Sequence, residues 1–390
     1  MKICAVTTWP PHRDGVALYS VELFKQVSKM ADVTVVANVS QQNCPVKNVG
    51  TYDECWKRGL LYPMDVFRSV FHSRCNLVHV QHGWFLYGGI LSSLLFPVLL
   101  MFFRISRKPC VVTLHTVIRK DAKIYNNFLV NFLAQIGVLW ISRCIVHFSD
   151  KVIVHNPLMN QVLQTDYHAN TEKIAVIPHG VKEHFSKHEP TQKSENFNIL
   201  SLGFIRKEKS IENLVVAFDK FLETCPTAKL VIVGTTHAHD NIDYLEELKH
   251  RIKLSLQEHV IFMGFVDDNT LEQLIEDSDI IVLQSTEPYY VEASGTLAAV
   301  ACYGKPVVCS KVPKFVAELQ NMKNCVAVNS SDSTELAQAF VLLLTNMELR
   351  ICLGNSLKEK FTERTWNNVA KLHINLYRCL LNKLTTKNTR

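Results

Sequence analysis

Residues 279–315 read DIIVLQSTEPYYVEASGTLAAVACYGKPVVCSKVPKF, and this stretch decides the fold of the second half of the chain. It begins with four apolar residues, 280–283, which have the length of a buried strand. A polar loop is expected over residues 284–293, and it carries two carboxylates, Glu287 and Glu292. The stretch therefore begins as a strand whose carboxyl end leads into a polar, ligand-accessible loop.

A helix and a second strand follow in the same stretch. Ser294, Gly295 and Thr296 open an alanine-rich helix that ends near Gly304, and residues 306–309 have the apolar character of the next strand. The free backbone N–H groups and the dipole of a helix N-terminus attract anions. This strand–turn–helix unit predicts a diphosphate site in a nucleotide-binding domain.

Length, charge and cysteine spacing limit the classes of protein to which the chain can belong. The chain has 390 residues, which predicts two domains, and a formal net charge of +6 without a long basic run, which gives no indication of nucleic-acid binding. Its twelve cysteines form no CxxC pair and lie mostly in apolar runs. A reducing, cytoplasmic compartment is therefore expected, and neither a disulfide framework nor a zinc site is indicated.

Strands alternate with helices twice along the chain, which predicts two doubly wound parallel sheets. The first alternation predicts a domain over residues 1–185, and the second a domain over residues 197–365. The polar segment 186–196 has the composition of a linker. Residues 366–390 form a last helix that is expected to return to the first domain. Neither GxGxxG after the first strand nor a P-loop motif occurs in the chain.

Polar residues follow the strands of the first half, where parallel sheets bind ligands. Asp14 and Gly15 follow the first strand, and four histidines follow later ones: His82, His115, His155 and His179. A single histidine at a strand end is more often structural than chemical. Four histidines at successive strand ends favour the interpretation that at least one of them faces a ligand, and His115 is the candidate.

Basic residues follow the first strand of the second half. Arg206 and Lys209 lie in the sequence SLGFIRKEKS, where they are placed to neutralise a diphosphate, although a solvated turn has the same composition. Gly264 ends another predicted strand of this half and is a further candidate for donor binding. The pair Asp277 and Asp279 matches an Asp-x-Asp metal pattern but lies across a helix end and a strand start, so no metal is expected.

Residues 84–103 contain no charged side chain and precede Arg104, Arg107 and Lys108. A buried helix is the favoured interpretation because strand patterns lie on both sides. A bilayer span and a helix lying in a membrane surface are the alternatives, and the apolar stretch 128–146 is open to the second of these. Peripheral association with a membrane is therefore an expectation.

The order of LGFIRKEKS, LVIVG, VIFMGFV, SDIIVLQS and ASGTLAAVACYGKPVVCS resembles the nucleotide-binding half of the family-4 glycosyltransferases. The segments VHVQHG, VVTLHTV, SDKVIVHN and KIAVIPHGV resemble the acceptor half of that family. The resemblance covers nearly the whole chain. It implies the GT-B fold, in which two Rossmann-like domains face each other across a cleft.

The resemblance also implies roles for individual residues. Lys209 matches the lysine that holds the donor diphosphate, whereas the usual arginine position is Phe204, so Arg206 would substitute for it. Two glutamates of the family correspond to Val291 and Ala299, and Glu292 stands one residue from the first. Ser294, Gly295 and Thr296 would contact the diphosphate, while Asp14 and Gly15 stand in place of a double glycine.

The activity implied is transfer of a sugar from a nucleotide-sugar donor to a sugar or lipid-linked acceptor, with retention at the anomeric carbon and no cofactor. Glu292, His115, Arg206 and Lys209 would carry the reaction. Two alternatives remain: a sugar phosphorylase or epimerase on the same fold, and a non-catalytic binding or scaffolding protein. The missing carboxylate at Ala299 favours the second.

Overall fold

The computed structural model describes residues 1–12, 14–39, 49–183, 196–236, 242–252 and 256–388. The chain divides into two compact units. Unit 1 comprises Met1–Gly180, Tyr289–Ala293 and Arg364–Arg390, and unit 2 comprises Val181–Pro288 and Ser294–Glu363. The predicted linker 186–196 lies outside the described residues except for residue 196, so the predicted domain boundaries stay predictions.

Unit 1 contains a seven-stranded parallel sheet with the order β3-β2-β1-β4-β5-β7-β8. Its inner strands Leu77–His82 and Cys110–Leu114 are buried along their whole length, as expected for a sheet covered on both faces. The strands are β1 (Lys2–Thr7), β2 (Asp32–Asn38), β3 (Thr51–Trp56), β4 (Leu77–His82), β5 (Cys110–Leu114), β7 (Lys151–Val154) and β8 (Ile174–Val176).

The described helices of unit 1 bury apolar side chains in its core. They are α1 (Gly15–Val27), α2 (Tyr62–His72), α3 (Ile90–Leu94), α4 (Phe96–Ile105), α5 (Phe128–Phe148), α6 (Pro157–Tyr167) and α14 (Trp366–Asn388). The last helix packs against α1, where Tyr377 and Leu23 are both fully buried. The C-terminal helix thus belongs to unit 1.

Unit 2 contains a six-stranded parallel sheet with the order β11-β10-β9-β12-β14-β15. Its strands are β9 (Asn198–Leu202), β10 (Lys229–Val233), β11 (Val260–Gly264), β12 (Ile280–Leu283), β14 (Val307–Ser310) and β15 (Val326–Val328). Its described helices are α7 (Ile211–Leu222), α8 (Ile242–Arg251), α9 (Asp268–Glu276), α10 (Gly295–Val300), α11 (Pro313–Val316), α12 (Ser333–Thr345) and α13 (Met347–Thr362). The predicted class of two doubly wound parallel sheets is confirmed.

Each sheet reverses its strand order at one place. The reversal lies between β1 and β4 in unit 1 and between β9 and β12 in unit 2. Loops at the carboxyl ends of strands flanking such a reversal run in opposite directions and leave a crevice, which is where ligands bind in this class of sheet. A ligand site is therefore expected at the loops that follow these four strands.

A short antiparallel ladder corrects the prediction of a loop over residues 284–293. Strand β13 (Tyr290–Glu292) pairs with β6 (Thr116–Ile118) inside unit 1. Val291 lies opposite Val117, and both are buried in the core of unit 1. This strand could not be predicted from the sequence, because three residues are too few to show a period-2 pattern.

The apolar stretch 84–103 forms two short helices, α3 and α4, separated at Leu95. Phe96, Leu99 and Phe103 of α4 are at most 1% exposed, as the favoured interpretation of a buried helix required. The second apolar stretch forms α5, and only 28% of its apolar window is buried.

Candidate active site

The turn after β9 brings a lysine and a threonine of unit 2 together. Gly203 has φ of +119°, and a Cβ atom there would lie 2.8 Å from Cγ2 of Thr296 and 4.0 Å from Nζ of Lys209. Glycine is therefore required both by the backbone conformation and by this close approach. The structure thus joins two of the predicted diphosphate residues, Lys209 and Thr296, at the strand-order reversal of unit 2.

The basic residues themselves lie on one short segment. Lys207–Lys209 forms a single 3₁₀ turn, and the carbonyl of Glu208 accepts a hydrogen bond from the N–H of Thr286 at 2.8 Å. This bond ties the loop after β9 to the loop after β12. Arg206 is exposed, with its guanidinium carbon 6.0 Å from the ring centroid of Phe204, while Lys209 is half-buried.

Ser294 caps α10 as the sequence pattern indicated. Its Oγ accepts the N–H of Leu297 at 3.2 Å and lies 2.9 Å from Oγ1 of Thr296. Gly295 begins the helix and is exposed. Because α10 has only six residues and acts on charge through its first turn alone, the lysine is the stronger source of positive potential here.

The sequence reasoning passed over Gln284. This residue directly follows β12, is 3% exposed, and neither its Nε2 nor its Oε1 atom has a hydrogen-bond partner among the described residues. It lines a small pocket together with Gly203, Phe204 and Lys209. A buried amide without partners costs about 1–3 kcal/mol, so this side chain is suited to bind a polar ligand atom. The available signal was a polar residue ending an apolar strand.

Gly264 lies at the carboxyl end of the edge strand β11 with φ of +67°. Its carbonyl accepts the N–H of Gly234 at 2.8 Å, and a Cβ atom at Gly234 would lie 1.9 Å from the carbonyl oxygen of Gly203. The three glycines therefore form a row along the ends of β11, β10 and β9. Gly264 is two strands away from the turn that holds Lys209.

Three of the strand-end histidines in unit 1 surround one buried tyrosine. The ring centroids of His115, His155 and His179 lie 4.8, 5.1 and 5.1 Å from that of Tyr19. The Tyr19 hydroxyl is buried and has no hydrogen-bond partner among the described residues. These three histidines therefore lie together at the carboxyl ends of their strands, and the role of His115 towards a ligand stays a prediction.

Hydrogen bonds show how each of these rings is held. Nε2 of His115 donates to Oε1 of Gln81 at 2.8 Å, Nδ1 of His155 to the carbonyl of Ile177 at 3.1 Å, and Nδ1 of His179 to the carbonyl of Gly180 at 2.7 Å. In a neutral ring, the second nitrogen then carries a lone pair. The cluster offers three acceptor nitrogens.

Burial keeps this cluster neutral. Desolvation lowers the pKa of His155 to about 3 and that of His179 to about 4, and desolvation together with the neighbouring histidines lowers the pKa of His115 well below its usual value. These rings are therefore suited to accept hydroxyl hydrogens near neutral pH, and unsuited to hold a phosphate by charge.

Glu292 belongs to the same edge of unit 1. Oγ1 of Thr116 donates to its Oε2 at 2.9 Å, and Nδ2 of Asn156 donates to its backbone carbonyl at 3.4 Å. Glu292 lies opposite Thr116 in the β6–β13 ladder, and His115 directly precedes Thr116. Glu292 therefore lies opposite the residue that directly follows His115, and both belong to the same region of unit 1.

Asp14 already has a structural role. It caps α1, where its Oδ1 accepts the N–H of Ala17 at 2.7 Å and the hydroxyl of Thr8 at 3.2 Å, and its Oδ2 lies 3.3 Å from Nε2 of His12. Gly15 begins α1, and a Cβ atom there would meet no atom within 4 Å. Both lie at the strand-order reversal of unit 1, and their role in binding stays a prediction.

In the Asp-x-Asp pattern, the carboxylate of Asp279 has partners within the fold. Oδ2 of Asp279 accepts the N–H of Asn198 at 2.9 Å, and its Oδ1 lies 3.4 Å from Nη1 of Arg350. Across the part of the chain that the structure describes, no group of three His, Cys, Asp or Glu residues has an arrangement that could hold a metal ion.

Comparison with known structures defines the class of protein. A structure of Anabaena HepE in complex with UDP-glucose superposes with a TM-score of 0.72 at 17% identity, covering 99% of this chain and 100% of that one. A sucrose-phosphate synthase from Thermosynechococcus elongatus gives a TM-score of 0.75 at 17% identity, covering 98% and 100%. These likenesses show the fold, and it is the GT-B fold of glycosyltransferases.

Comparison of sequences gives the family. The family "Glycosyl transferases group 1" matches residues 182–360, and "Glycosyltransferase Family 4" matches residues 13–185. The chain belongs to the family-4 glycosyltransferases, and the resemblance first seen in its motifs is confirmed.

Two curated relatives match over shorter regions. An uncharacterized glycosyltransferase of Methanocaldococcus jannaschii is 32% identical over 46% of this chain and 44% of its own length. An alpha-monoglucosyldiacylglycerol synthase of Streptococcus pneumoniae is 29% identical over 43% and 41%, respectively. The matched region therefore spans less than half the length of either relative.

Proposed function

We propose that this protein transfers a hexose from a nucleoside diphosphate sugar to an acceptor hydroxyl, with retention of anomeric configuration. The observation that carries the proposal is the turn of unit 2 that joins Gly203, Lys209 and Thr296 beside the unpartnered amide of Gln284. A cation, a hydroxyl and an amide at a strand-order reversal are the groups that bind a diphosphate.

The chemistry follows from where charge develops. As the bond between the anomeric carbon and the diphosphate breaks, negative charge gathers on the leaving diphosphate and positive charge on the sugar. Lys209 and Arg206 are cations that stabilise the negative charge on the leaving diphosphate. Because this charge grows during the reaction, they stabilise the transition state more than the ground state. Protein cations supply this stabilisation, so the proposal invokes no metal ion.

Unit 1 supplies groups of a different kind. Glu292, held by Thr116, is an anion that accepts hydroxyl hydrogens, and the neutral His115 offers a further acceptor. Such groups fit the hydroxyls of a sugar or of an acceptor. Hexose donors fit the names of the relatives and structural neighbours, which include a structure with UDP-glucose and a monoglucosyldiacylglycerol synthase. The acceptor is a sugar or a lipid-linked molecule.

The test is a panel of UDP, GDP and ADP sugars, with release of the nucleoside diphosphate as the measurement. We expect saturable release from one nucleotide series, faster with an acceptor present. Repeating the assay with inorganic phosphate as the acceptor distinguishes a transferase from a phosphorylase, because a phosphorylase would form a sugar phosphate.

One observation favours a second candidate function. The helix position where the family carries its second glutamate is Ala299, which is exposed on α10 and has no carboxylate. A protein that binds a nucleoside diphosphate in calorimetry but releases none from any sugar donor would be a binding protein on this fold, and the transferase proposal would be wrong.

A further inference from the structure

The N-terminal half of α5 is an exposed apolar surface. Phe128, Leu129 and Leu133 are 81%, 67% and 66% exposed, and Val130, Phe132, Ile136 and Trp140 are also exposed. By length and composition, α5 could cross a membrane, and only 28% of its most apolar window is buried. A core helix of a soluble domain shows the opposite pattern, since it hides its apolar side chains.

A neighbouring helix extends this surface. α3 packs against α5, and its Ile90 and Leu91 are 60% and 65% exposed. We call the set Ile90, Leu91, Phe128, Leu129, Phe132, Leu133 and Ile136 the α5 face. Contiguous apolar patches of this kind are uncommon on soluble proteins and mark places of interaction.

Basic residues surround the α5 face. Residues 124–142 contain no charged side chain, while Arg119, Lys120 and Lys123 precede them and Arg143 follows, all exposed. Residues 57–148 as a whole contain eleven Lys and Arg against two Asp and Glu, whereas the full chain has an excess of only six. The excess of positive charge is therefore greatest in the part of the sequence that carries the exposed apolar surface.

We propose that the α5 face docks on the surface of an anionic lipid bilayer. Apolar side chains enter the boundary between headgroups and acyl chains, while the flanking lysines and arginines bind the negative headgroups. A second copy of the chain is the less suitable occupant, because two faces with the same excess of positive charge repel each other.

The α5 face does not span the bilayer. Val138, Ile141 and Ile145 in the second half of α5 are packed in the core of unit 1. The free part, residues 128–140, measures about 20 Å at a rise of about 1.5 Å per residue, which is shorter than a hydrocarbon core of about 30 Å. The sequence left contact with a membrane surface open for residues 84–103 and for residues 128–146. In the structure, α4 of the first stretch is buried, and the exposed surface is formed by Ile90 and Leu91 of that stretch together with the first half of α5.

The experiment measures flotation of the full chain with vesicles of neutral phosphatidylcholine and with vesicles that also contain phosphatidylglycerol. Binding needs no sugar donor, so this result is independent of the proposed transferase activity. We expect binding to the anionic vesicles that weakens at high salt. The double variant Phe132→Glu/Leu133→Glu should reduce binding by at least about tenfold, because two apolar contacts become anionic.

The matched control is Met347→Glu/Ile351→Glu on α13 of unit 2, where both residues are half exposed, at 51% and 50%. It adds the same charge and should leave binding unchanged. Equal binding to neutral vesicles, equal loss in the control variant, or a salt-insensitive dimer that Phe132→Glu/Leu133→Glu dissociates would each overturn the proposal. Extraction from vesicles by detergent alone, and not by carbonate, would contradict surface docking.

Discussion

The two units share a topology and differ in the chemistry at their strand ends. In unit 1, the polar side chains after the strands are neutral histidines packed around Tyr19, with Glu292 held nearby by Thr116. In unit 2, the loop after β9 carries three cations within four residues, and the loop after β12 begins with an unpartnered amide. One crevice is suited to hydroxyl groups and the other to a diphosphate.

This difference teaches that a doubly wound sheet determines where a site lies. Which ligand groups the site can bind depends on how deeply the side chains at the strand ends are buried. A histidine and a lysine can both bind phosphate when charged. Burial removes the charge from the histidines, whereas the 3₁₀ turn keeps the cations of unit 2 close to water. The proposed binding of the donor diphosphate by unit 2 and of sugar hydroxyls by unit 1 rests on this contrast.

The largest expected effect is a loss of the folding stability of unit 1 at acid pH. The folded-state pKa values of His82 and His155 are lowered to about 3, and those of His179 and His373 to about 4, because burial disfavours the charged ring. The unfolded chain binds these protons near pH 6.5, so this contribution to stability is complete above that pH and is lost as the pH falls from about 6.5 to about 4 for His179 and His373 and to about 3 for His82 and His155. Each histidine contributes up to about 1.4 kcal/mol per pH unit in this window.

Fluorescence can follow this transition in unit 1 separately, because all five tryptophans belong to that unit. Urea midpoints from tryptophan emission should fall steeply below pH 6.5, and His155→Gln should make the fall shallower. A midpoint that stays constant down to pH 4.5 would show that the histidine cluster is charged or exposed.

The next largest effect concerns Glu292. Glu292→Gln removes the anion but keeps the size of the side chain, and the backbone pairing of β13 with β6 does not depend on the carboxylate. We expect sugar transfer to fall by roughly a hundredfold, about 2.7 kcal/mol. The affinity for the nucleoside diphosphate should stay nearly unchanged, which isothermal titration calorimetry can measure.

Glu287→Gln is the matched control, since Glu287 lies five residues earlier and belongs to unit 2. If Glu287→Gln abolished transfer while Glu292→Gln left it intact, the assignment of the sugar-binding carboxylate would be wrong.

Lys209 should show a smaller effect. We expect Lys209→Ala to lower turnover by roughly thirtyfold, about 2 kcal/mol, and donor affinity by less, because the diphosphate gains charge in the transition state. Lys207→Ala is the control, as Lys207 lies in the same 3₁₀ turn but is exposed. Equal effects of the two variants would mean that the turn acts only through its general positive potential.

The smallest effect belongs to Gln284. Leucine has a similar volume and no polar atoms, so Gln284→Leu should weaken the binding of UDP by about tenfold and raise the stability of the free protein by about 1 kcal/mol. Both changes follow from removing a buried amide that has no protein partner. Unchanged UDP affinity would place this side chain outside the site.

Most of the fold could be predicted from the sequence, because buried parallel strands are uninterrupted apolar runs. The strand Ile280–Leu283 has the predicted bounds. The edge strand Thr51–Trp56 was missed because its first four residues are exposed and show no apolar run.

The candidate site was harder to predict, because its parts come together through contacts that local patterns do not show. The position of Lys209 could be predicted from its place after the first strand of unit 2. The ladder that fixes Glu292 joins residues 176 apart, and it turns Val291 into the core so that Glu292 faces away from it. Burial of Gln284 likewise became visible only in three dimensions.

The most direct test of this division is hydrogen–deuterium exchange of the full chain with and without saturating UDP, a ligand of the Anabaena neighbour. Protection of backbone amides reports where the nucleotide is held. We expect protection in residues 202–211 and 284–297, around Gly203, Lys209 and Gln284. Protection confined to residues 8–18 and 115–118 of unit 1 would contradict the assignment of the donor diphosphate to unit 2.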